Sequence, residues 1–292
     1  MKHLIVSQGG SGKQILLTAV VAAMKTQQPK DEIIVATPWP ECFAGNPDIH
    51  KVINLQQGEW FWHDYIKDFD GKIHAHDPYM DQRWLNGSET HLRDIWLEMM
   101  GFEATESLPK IVVNEAEYTN LILNVNTDKP VALMQLSGGS GDTAQYHWGR
   151  DVKWQEIQNV LDELAQTHFI VQIGNSNQKW NHYPNAQWVD NMSLRQIIVL
   201  AQAADRFIGI DSVLTHARAA SGKGGQAYYV ASTPDRIGWY NMQNIGPSEE
   251  SLEMMQEKSL STSRTKGLLP FDLNGIGVFT EECPFPAGWK IF

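Results

Sequence analysis

The chain has 292 residues, enough for about two domains of ordinary size. Hydrophobic residues make up 42% of the chain and charged residues 20%, proportions that exclude a disordered tail and a membrane-embedded protein. The net charge of -11 at pH 7 excludes a protein that holds nucleic acid or anionic membranes through a diffuse positive field.

The cysteine content and the amino terminus point to the cytoplasm. Two cysteines, Cys42 and Cys283, are too few and too far apart for a disulfide framework or a Cys-rich zinc site. The first residues form a short apolar run without the cleavage site of a signal peptide. The longest apolar run, at 15–24, is too short to cross a bilayer. We therefore expect a cytoplasmic protein without a transmembrane segment.

The first part of the chain alternates between predicted strands and helices. Runs of β-branched residues predict strands, and a long run rich in Ala and Leu predicts a helix. The elements are, in order, a strand at 3–7, a glycine turn at 9–12, a helix at 15–25, strands at 32–37 and 51–55, and a helix at 90–100. This order is typical of βαβ units with a parallel sheet.

The same alternation restarts after the polar segment 124–130, which we interpret as a linker. The later elements are a strand at 131–136, a glycine loop at 138–141, a helix at 154–164, a strand at 169–173, a helix at 194–204, a strand at 206–210, a helix at 214–220 and a strand at 227–230. We predict two α/β domains, 1–126 and 127–292, the second with an irregular C-terminal tail. Because ligands of such sheets bind beyond the carboxyl ends of the strands, a cleft between the domains is the expected site.

The first glycine loop, GGSGK at 9–13, precedes a helix and can present backbone N–H groups to an anion. It departs from a P-loop, because Ser7 occupies the first glycine position and Gln14 replaces the hydroxyl that binds magnesium. The candidate phosphate contacts are Gly10, Gly12 and Lys13. The alternative is a tight strand-to-helix turn without a ligand.

A second candidate anion site is the segment GIDSVLTHA at 209–217. Asp211 or Ser212 can cap the helix that follows, and His216 lies about one turn into it. Free N–H groups, a hydroxyl and an imidazole together suit a diphosphate. The alternative is an ordinary helix cap with a histidine that faces the core.

This segment, followed by ASTPD at 231–235, resembles the donor-binding half of glycosyltransferase family 9, the ADP-heptose lipopolysaccharide heptosyltransferase family. The family pattern there is an Asp-Ser/Thr-Gly-x-x-His helix start and a Gly-Pro-Thr-Asp-like loop. The first half is similar too, with GNPDI at 45–49 and KVI at 51–53. The Gly-Gly-x-Gly-Lys loop looks like that of phage-encoded relatives.

The resemblance implies a GT-B architecture of two Rossmann-like domains. It also implies a nucleotide-diphosphate sugar as donor substrate, no metal or other cofactor, and inversion at the anomeric carbon. By position, the implied donor contacts are Asp211, Ser212 and His216, with Ser137, Gly138 and Gly139 in the loop after the first strand of the second domain. Arg218 and Arg236 flank the donor segment and are further candidates for anion contact.

Two positions depart from the family pattern. The family has Gly-Asp where this chain has Gly12 and Lys13, and that Asp is the proposed catalytic base. A lysine suits phosphate or leaving-group stabilisation better than proton abstraction, because it is protonated at neutral pH. The family glycine after Asp-Ser is Val213 here.

A replacement base is needed, because the acceptor hydroxyl must lose its proton. His74 and His76 alternate along a predicted strand face, and Asp77 ends that strand where a ligand would lie. Asp77 is the first choice and His76 the second, with His74 and Glu89 as further candidates. The alternative is that these groups pack or cap; a metal cluster with His91 is disfavoured, and Asp68-Phe69-Asp70 fits an Asp-Gly turn better than a metal-binding motif.

We therefore expect an inverting, metal-independent glycosyltransferase. Its acceptor is a saccharide or, if the protein is phage-encoded, a hydroxymethylated base in DNA. A catalytically inactive nucleotide-sugar binding module is the alternative, motivated by Lys13 in place of the family Asp. A P-loop kinase is opposed by Ser7 and Gln14. The sequence leaves the oligomeric state and the donor base open.

Overall fold

A computed structural model describes residues 1–57, 61–121, 127–138, 150–230, 233–247 and 289–291. The chain divides into two compact units, Met1–Asn120 with Ala219–Gly222, and Leu121–Arg218 with Lys223–Phe292. The boundary predicted after residue 126 stays a prediction, because 122–126 lie outside the described residues.

The first unit contains a parallel four-stranded sheet in the order β3-β2-β1-β4. Its elements are β1 (Lys2–Val6), α1 (Ser11–Gln27), β2 (Glu32–Thr37), β3 (Lys51–Asn54), β4 (Lys72–His74), α2 (Gln82–Leu85), α3 (Leu92–Met99) and α4 (Glu115–Thr119). The apolar run in α1 is buried almost throughout and packs against α3, whose Ile95 and Trp96 are also buried. Burial on this scale is the main stabilising contribution to the unit.

The second unit contains a seven-stranded sheet in the order β11-β10-β9-β8-β5-β6-β7. Its elements are β5 (Val131–Gln135), α5 (Gln158–Thr167), β6 (Phe169–Ile173), β7 (Ala186–Val189), α6 (Leu194–Ala203), β8 (Arg206–Ile210), α7 (Val213–Ala220), β9 (Gln226–Tyr228), α8 (Pro234–Ile237), β10 (Gln243–Pro247) and β11 (Trp289–Ile291). All neighbours pair in parallel except β10 and β11, which are antiparallel.

Four details differ from the sequence predictions. Helix α1 begins at Ser11, so Gly12 and Lys13 lie in its first turn and not in the preceding loop. Strand β4 ends at His74, so His76 and Asp77 follow the strand and do not continue it. Strands β7 and β10 were not predicted, because their sequences AQWV and QNIGP hold few β-branched residues. The tail predicted to be irregular contributes β11, an edge strand on β10.

No helix in the described parts of the chain has the length and apolar character needed to cross a membrane.

Candidate active site

In the first unit, two predicted catalytic residues meet at the carboxyl edge of the sheet. Strands β1 and β4 are parallel neighbours, so the segments that follow them lie at the same edge. Lys13 comes after β1, in the first turn of α1, and Asp77 comes three residues after β4. The Lys13 Nζ lies 2.9 Å from the Asp77 Oδ1, which forms an ion pair between residues far apart in sequence.

The two partners of this pair differ in exposure. The Lys13 side chain is 8% exposed, and its ammonium lies 5.3 Å from the ring centre of Trp96 and 5.7 Å from that of Tyr79, within range of cation–π attraction. The Asp77 side chain is 48% exposed, and its Oδ1 also accepts a hydrogen bond from the backbone N–H of Tyr79. The lysine is therefore a buried anchor, and the carboxylate is the group that a ligand can reach.

The two predicted histidines differ in the same way. His74 is buried, and its Nε2 lies 3.0 Å from Nδ1 of His3, whose Nε2 is hydrogen-bonded to Asp31. Burial, reinforced by the neighbouring His3, lowers the pKa of His74 to about 4. His76 is exposed, with its ring centre 6.3 Å from that of His74. His74 thus belongs to the interior, and His76 faces solvent beside Asp77.

The glycine loop before α1 is shaped by bonds within the protein. Gln14 is fully buried, donates to the carbonyl of Gln8 and accepts a hydrogen bond from the Thr37 hydroxyl. The Trp39 indole donates to the carbonyl of Gly9, whose φ of +104° favours glycine. The side chain in place of the P-loop hydroxyl therefore has a structural role. Gly10 is the helix N-cap, and Gly12 lies in the first turn.

In the second unit, the two predicted donor segments are joined by a residue that sequence reasoning missed. Strands β5 and β8 are parallel neighbours, so the segments after them share the carboxyl edge. Gln135, the last residue of β5, accepts a hydrogen bond of 2.6 Å from the Ser212 hydroxyl and donates to the carbonyl of Ser137. Gln135 could have been identified from the sequence, because it is a polar residue at the carboxyl end of a predicted buried strand.

Residues 136–138, which follow β5, are buried, and two of them are hydrogen-bonded to side chains of the same unit. The Gly138 N–H donates to Oδ1 of Asp151 at 2.8 Å, and the Ser137 hydroxyl accepts from the Asn181 amide. A Cβ at Gly138 would lie 2.6 Å from Cδ of Arg150, so a side chain there would require a shift. The Gly138 N–H already has a carboxylate partner, and Gly139 lies outside the described residues.

His216 lies one turn into α7, as predicted, and its partner fixes its tautomer. The Trp239 indole Nε1 donates to Nδ1 of His216 at 2.8 Å, with the rings nearly perpendicular. Because indole N–H only donates, Nδ1 accepts and the proton of the neutral imidazole lies on Nε2. No local sequence signal links these residues, because the contact is tertiary.

The two residues that precede α7 are placed at the edge of the sheet. Ser212 accepts from the backbone N–H of Leu214, and so it caps the helix while its own proton goes to Gln135. Asp211 is half-buried, and its N–H donates to the carbonyl of Tyr228. The first turn of α7 thus begins at a fixed point beside β5.

Arg218 is directed to the protein backbone. Its guanidinium is buried and donates to the carbonyls of Ala201, Ala204, Asp205 and Gly224. Burial lowers its pKa to about 10. These contacts hold the end of α6 against α7 and the turn that follows, so the guanidinium that was predicted to contact the donor is engaged with backbone carbonyls.

The site is marked neither by a metal cluster within the described residues nor by the cavity found in the second unit. They contain no group of three or more His, Cys, Asp or Glu side chains that could hold a metal ion. A cavity of about 850 Å³ in the second unit is lined by the first residues of β8, β9 and β10, at the amino edge of the sheet. Ligands of parallel α/β sheets bind at the opposite edge, where Ser212 lies.

Comparison with known proteins gives matches in structure alone. No protein-family model and no curated protein matches the chain. The chain is similar to the crystal structure of the glycosyl transferase family 9 from Veillonella parvula, with 14% identity, coverage of 96% of this chain and 94% of that one, and a TM-score of 0.62.

Two structures from E. coli are similar as well. For the ADP-heptose LPS heptosyltransferase II, the identity is 14%, the coverage 84% of this chain and 90% of that one, and the TM-score 0.61. For heptosyltransferase WaaC with ADP, the identity is 13%, the coverage 92% and 100%, and the TM-score 0.59. At these identities the likeness establishes the fold: the predicted α/β fold of GT-B type is confirmed, and the sequence resemblance to glycosyltransferase family 9 is matched by the structure.

Proposed function

We propose that the chain is an inverting glycosyltransferase that transfers a sugar from a nucleoside-diphosphate donor to an acceptor hydroxyl. The Lys13–Asp77 pair carries this proposal, because it presents a carboxylate where the resemblance implies a catalytic base but the sequence has a lysine. ADP-heptose is the first donor to test, because two similar structures are named for ADP-heptose or contain ADP.

Asp77 is the proposed base. The acceptor oxygen attacks the anomeric carbon from the face opposite the diphosphate, and its proton passes to the Asp77 carboxylate. The bond between the anomeric carbon and the phosphate oxygen breaks, and the nucleoside diphosphate leaves with the electron pair. General-base catalysis of this kind contributes roughly 10²- to 10⁴-fold to the rate.

Lys13 acts as a positioning residue in this proposal. Its ammonium is buried against Trp96, so it meets Asp77 and not a ligand. The ion pair, together with the Tyr79 N–H, fixes which direction the carboxylate faces. A lysine is thus compatible with a transferase although it cannot itself act as the base at neutral pH.

The donor diphosphate is assigned to the second unit. The proposed contacts are His216, whose proton Trp239 holds on Nε2, and the first turn of α7, with its backbone N–H groups and the positive end of the helix dipole. Ser212 and Asp211 place that turn at the edge of the sheet. Hydrogen bonds to charged groups contribute about 1.5–3 kcal/mol each, and in the metal-independent reaction proposed here they stabilise the leaving diphosphate.

The test combines nucleotide binding with turnover. ADP, GDP and UDP are titrated calorimetrically into the protein, and release of free ADP from ADP-heptose is then followed with and without acceptors. A transferase binds one nucleoside diphosphate and releases it from the sugar donor. Binding without release in any acceptor mixture would support the inactive binding module, and no binding of any nucleotide would contradict both functions.

A further inference from the structure

A group of solvent-exposed apolar side chains lies directly beside the proposed base. Tyr79 is 37% exposed, Met80 70% and Leu85 56%. The half-buried Trp84 lies against Tyr79, with ring centres 5.0 Å apart and planes at 88°. These four residues, which we call the aromatic patch, follow Asp77 within eight positions of the chain. Apolar side chains grouped in solvent commonly mark a binding surface.

The aromatic patch is held by capped turns and ion pairs. Asp77 caps the turn Pro78–Met80, and Asp81 caps α2. Arg83 pairs with Asp81 and with Glu98 of α3, which ties α2 to the body of the unit. A surface fixed in this way loses little conformational entropy when a ligand binds.

The charge around the aromatic patch disfavours phosphorylated ligands. Residues 73–98 contain five carboxylates, two arginines and no lysine, and one of the carboxylates, Asp77, is paired with Lys13 from α1, so the carboxylates still outnumber the cations around them. Both arginines are already paired, Arg83 with Asp81 and Glu98, and Arg93 with Asp94. A nucleic-acid backbone or a sugar phosphate would therefore meet unbalanced negative charge. An uncharged ligand would not be repelled by this charge.

We infer that the aromatic patch is the acceptor subsite and that the acceptor is an uncharged saccharide. This inference rests on the proposed function and narrows it. A pyranose ring presents an apolar C–H face that packs on an aromatic ring, and a hydroxyl at its edge that Asp77 can deprotonate. Tyr79 supplies the ring, and it is next but one to the base in sequence.

The inference is tested by saturation-transfer NMR on the full chain. The probes are methyl pyranosides of glucose, galactose, mannose and N-acetylglucosamine, the monophosphates of the same sugars, and a duplex DNA that contains hydroxymethylcytosine. We expect transfer to the C–H protons of at least one neutral pyranoside. We expect this transfer to fall about three- to tenfold in Tyr79→Ala, because an aromatic contact contributes a free energy of that size.

Tyr118→Ala is the matched control, because Tyr118 is 42% exposed in the same unit but lies on α4. It leaves the transfer unchanged. The inference is overturned if no neutral pyranoside receives saturation, if Tyr79→Ala and Tyr118→Ala behave alike, or if the phosphates or the DNA bind more strongly. Nucleotide titration of the same samples separates a failure of this inference from a failure of the proposed function. If ADP binds but no pyranoside receives saturation, the acceptor subsite alone is rejected. If no nucleotide binds, the proposed function is rejected as well.

Discussion

The carboxyl edges of the two sheets carry different chemistry. In the first unit a buried ammonium holds a half-exposed carboxylate, the Lys13–Asp77 pair. In the second unit two contacts at that edge are neutral, Gln135 with Ser212 and Trp239 with His216, and a third joins the Gly138 N–H to the Asp151 carboxylate. A carboxylate in solvent accepts protons, and neutral N–H groups bind anions. Under the proposed function, the first edge supplies the base and the second holds the diphosphate.

The units also differ in how buried ionisable groups respond to pH. His74 in the first unit has a pKa lowered to about 4 by burial. Glu156 in the second unit has a pKa raised to about 8, again because burial disfavours its charged form. Both are neutral in the folded protein at pH 7. Titration of His74 destabilises the folded protein in acid, whereas titration of Glu156 destabilises it in alkali.

The largest effect is expected for Asp77→Asn. The amide keeps the size of the side chain but cannot take the acceptor proton, so transfer should fall roughly 10²- to 10⁴-fold. ADP binding should be unchanged, because the proposed donor contacts lie in the second unit. Steady-state rates and calorimetry measure the two properties.

Glu89→Gln is the control for Asp77→Asn. Glu89 is an exposed carboxylate of the same unit and was itself a candidate base in the sequence. Its substitution should leave transfer unchanged. Equal losses of transfer rate in both variants would show that Asp77 has no specific role in the reaction.

The second effect is acid destabilisation of the first unit. The pKa of His74 is 6.5 when unfolded and about 4 when folded, so its contribution is complete above pH 6.5 and lost as the pH falls through about 4. The expected loss is about 3 kcal/mol of unfolding free energy. Denaturant unfolding between these pH values measures it.

His74→Gln should flatten that acid dependence, because the amide can still donate to His3 without titrating. The exposed His76→Gln should retain it. The same slope in all three proteins would show that the buried histidine pair does not control acid stability.

The third effect concerns the second unit. Glu156 contributes least stability above its folded pKa of about 8 and most below its ordinary 4.5, the reverse of His74. Glu156→Gln should keep the hydrogen bond to the backbone N–H of Lys153 and stabilise the protein at pH 8 by roughly 2 kcal/mol. Hydrogen exchange resolved by unit measures this. Equal protection of wild type and variant at pH 8 would contradict the prediction.

The fourth effect concerns donor affinity. His216→Ala should weaken ADP binding by about 1–3 kcal/mol, because it removes a hydrogen bond to a charged ligand.

The smallest effect is expected for Trp239→Phe, about 1 kcal/mol of ADP affinity. The phenyl ring retains most of the packing but frees Nδ1 of His216, so the tautomer is no longer fixed. Nitrogen NMR of His216 reports the tautomer directly, and calorimetry reports the affinity. Unchanged tautomer and affinity would leave Trp239 with a packing role alone.

Much of the fold followed from local pattern. The strands at 32–37, 169–173 and 206–210 coincide with β2, β6 and β8, because continuous apolar and β-branched runs are typical of buried parallel strands. Strand β10, with its polar QNIGP sequence, is defined by its pairing with β9 and not by its own propensity. Pairing between distant segments is not visible in local sequence.

Several residues of the candidate site were proposed from the sequence, but their contacts were not. Lys13, Asp77 and His216 were identified because each follows the carboxyl end of a strand. Their partners were not identified, since the bonds of Gln135 to Ser212 and of Trp239 to His216 depend on tertiary packing. Burial was equally hidden: nothing in the sequence beside Arg218 shows that backbone carbonyls surround its guanidinium.

The central claim is tested most directly by release of ADP from ADP-heptose, measured side by side for the wild type, Asp77→Asn and His216→Ala. The account predicts release by the wild type, a loss of rate with unchanged ADP affinity in Asp77→Asn, and a loss of affinity in His216→Ala. Equal rates and affinities in all three proteins would contradict the division of binding and proton transfer between the two units.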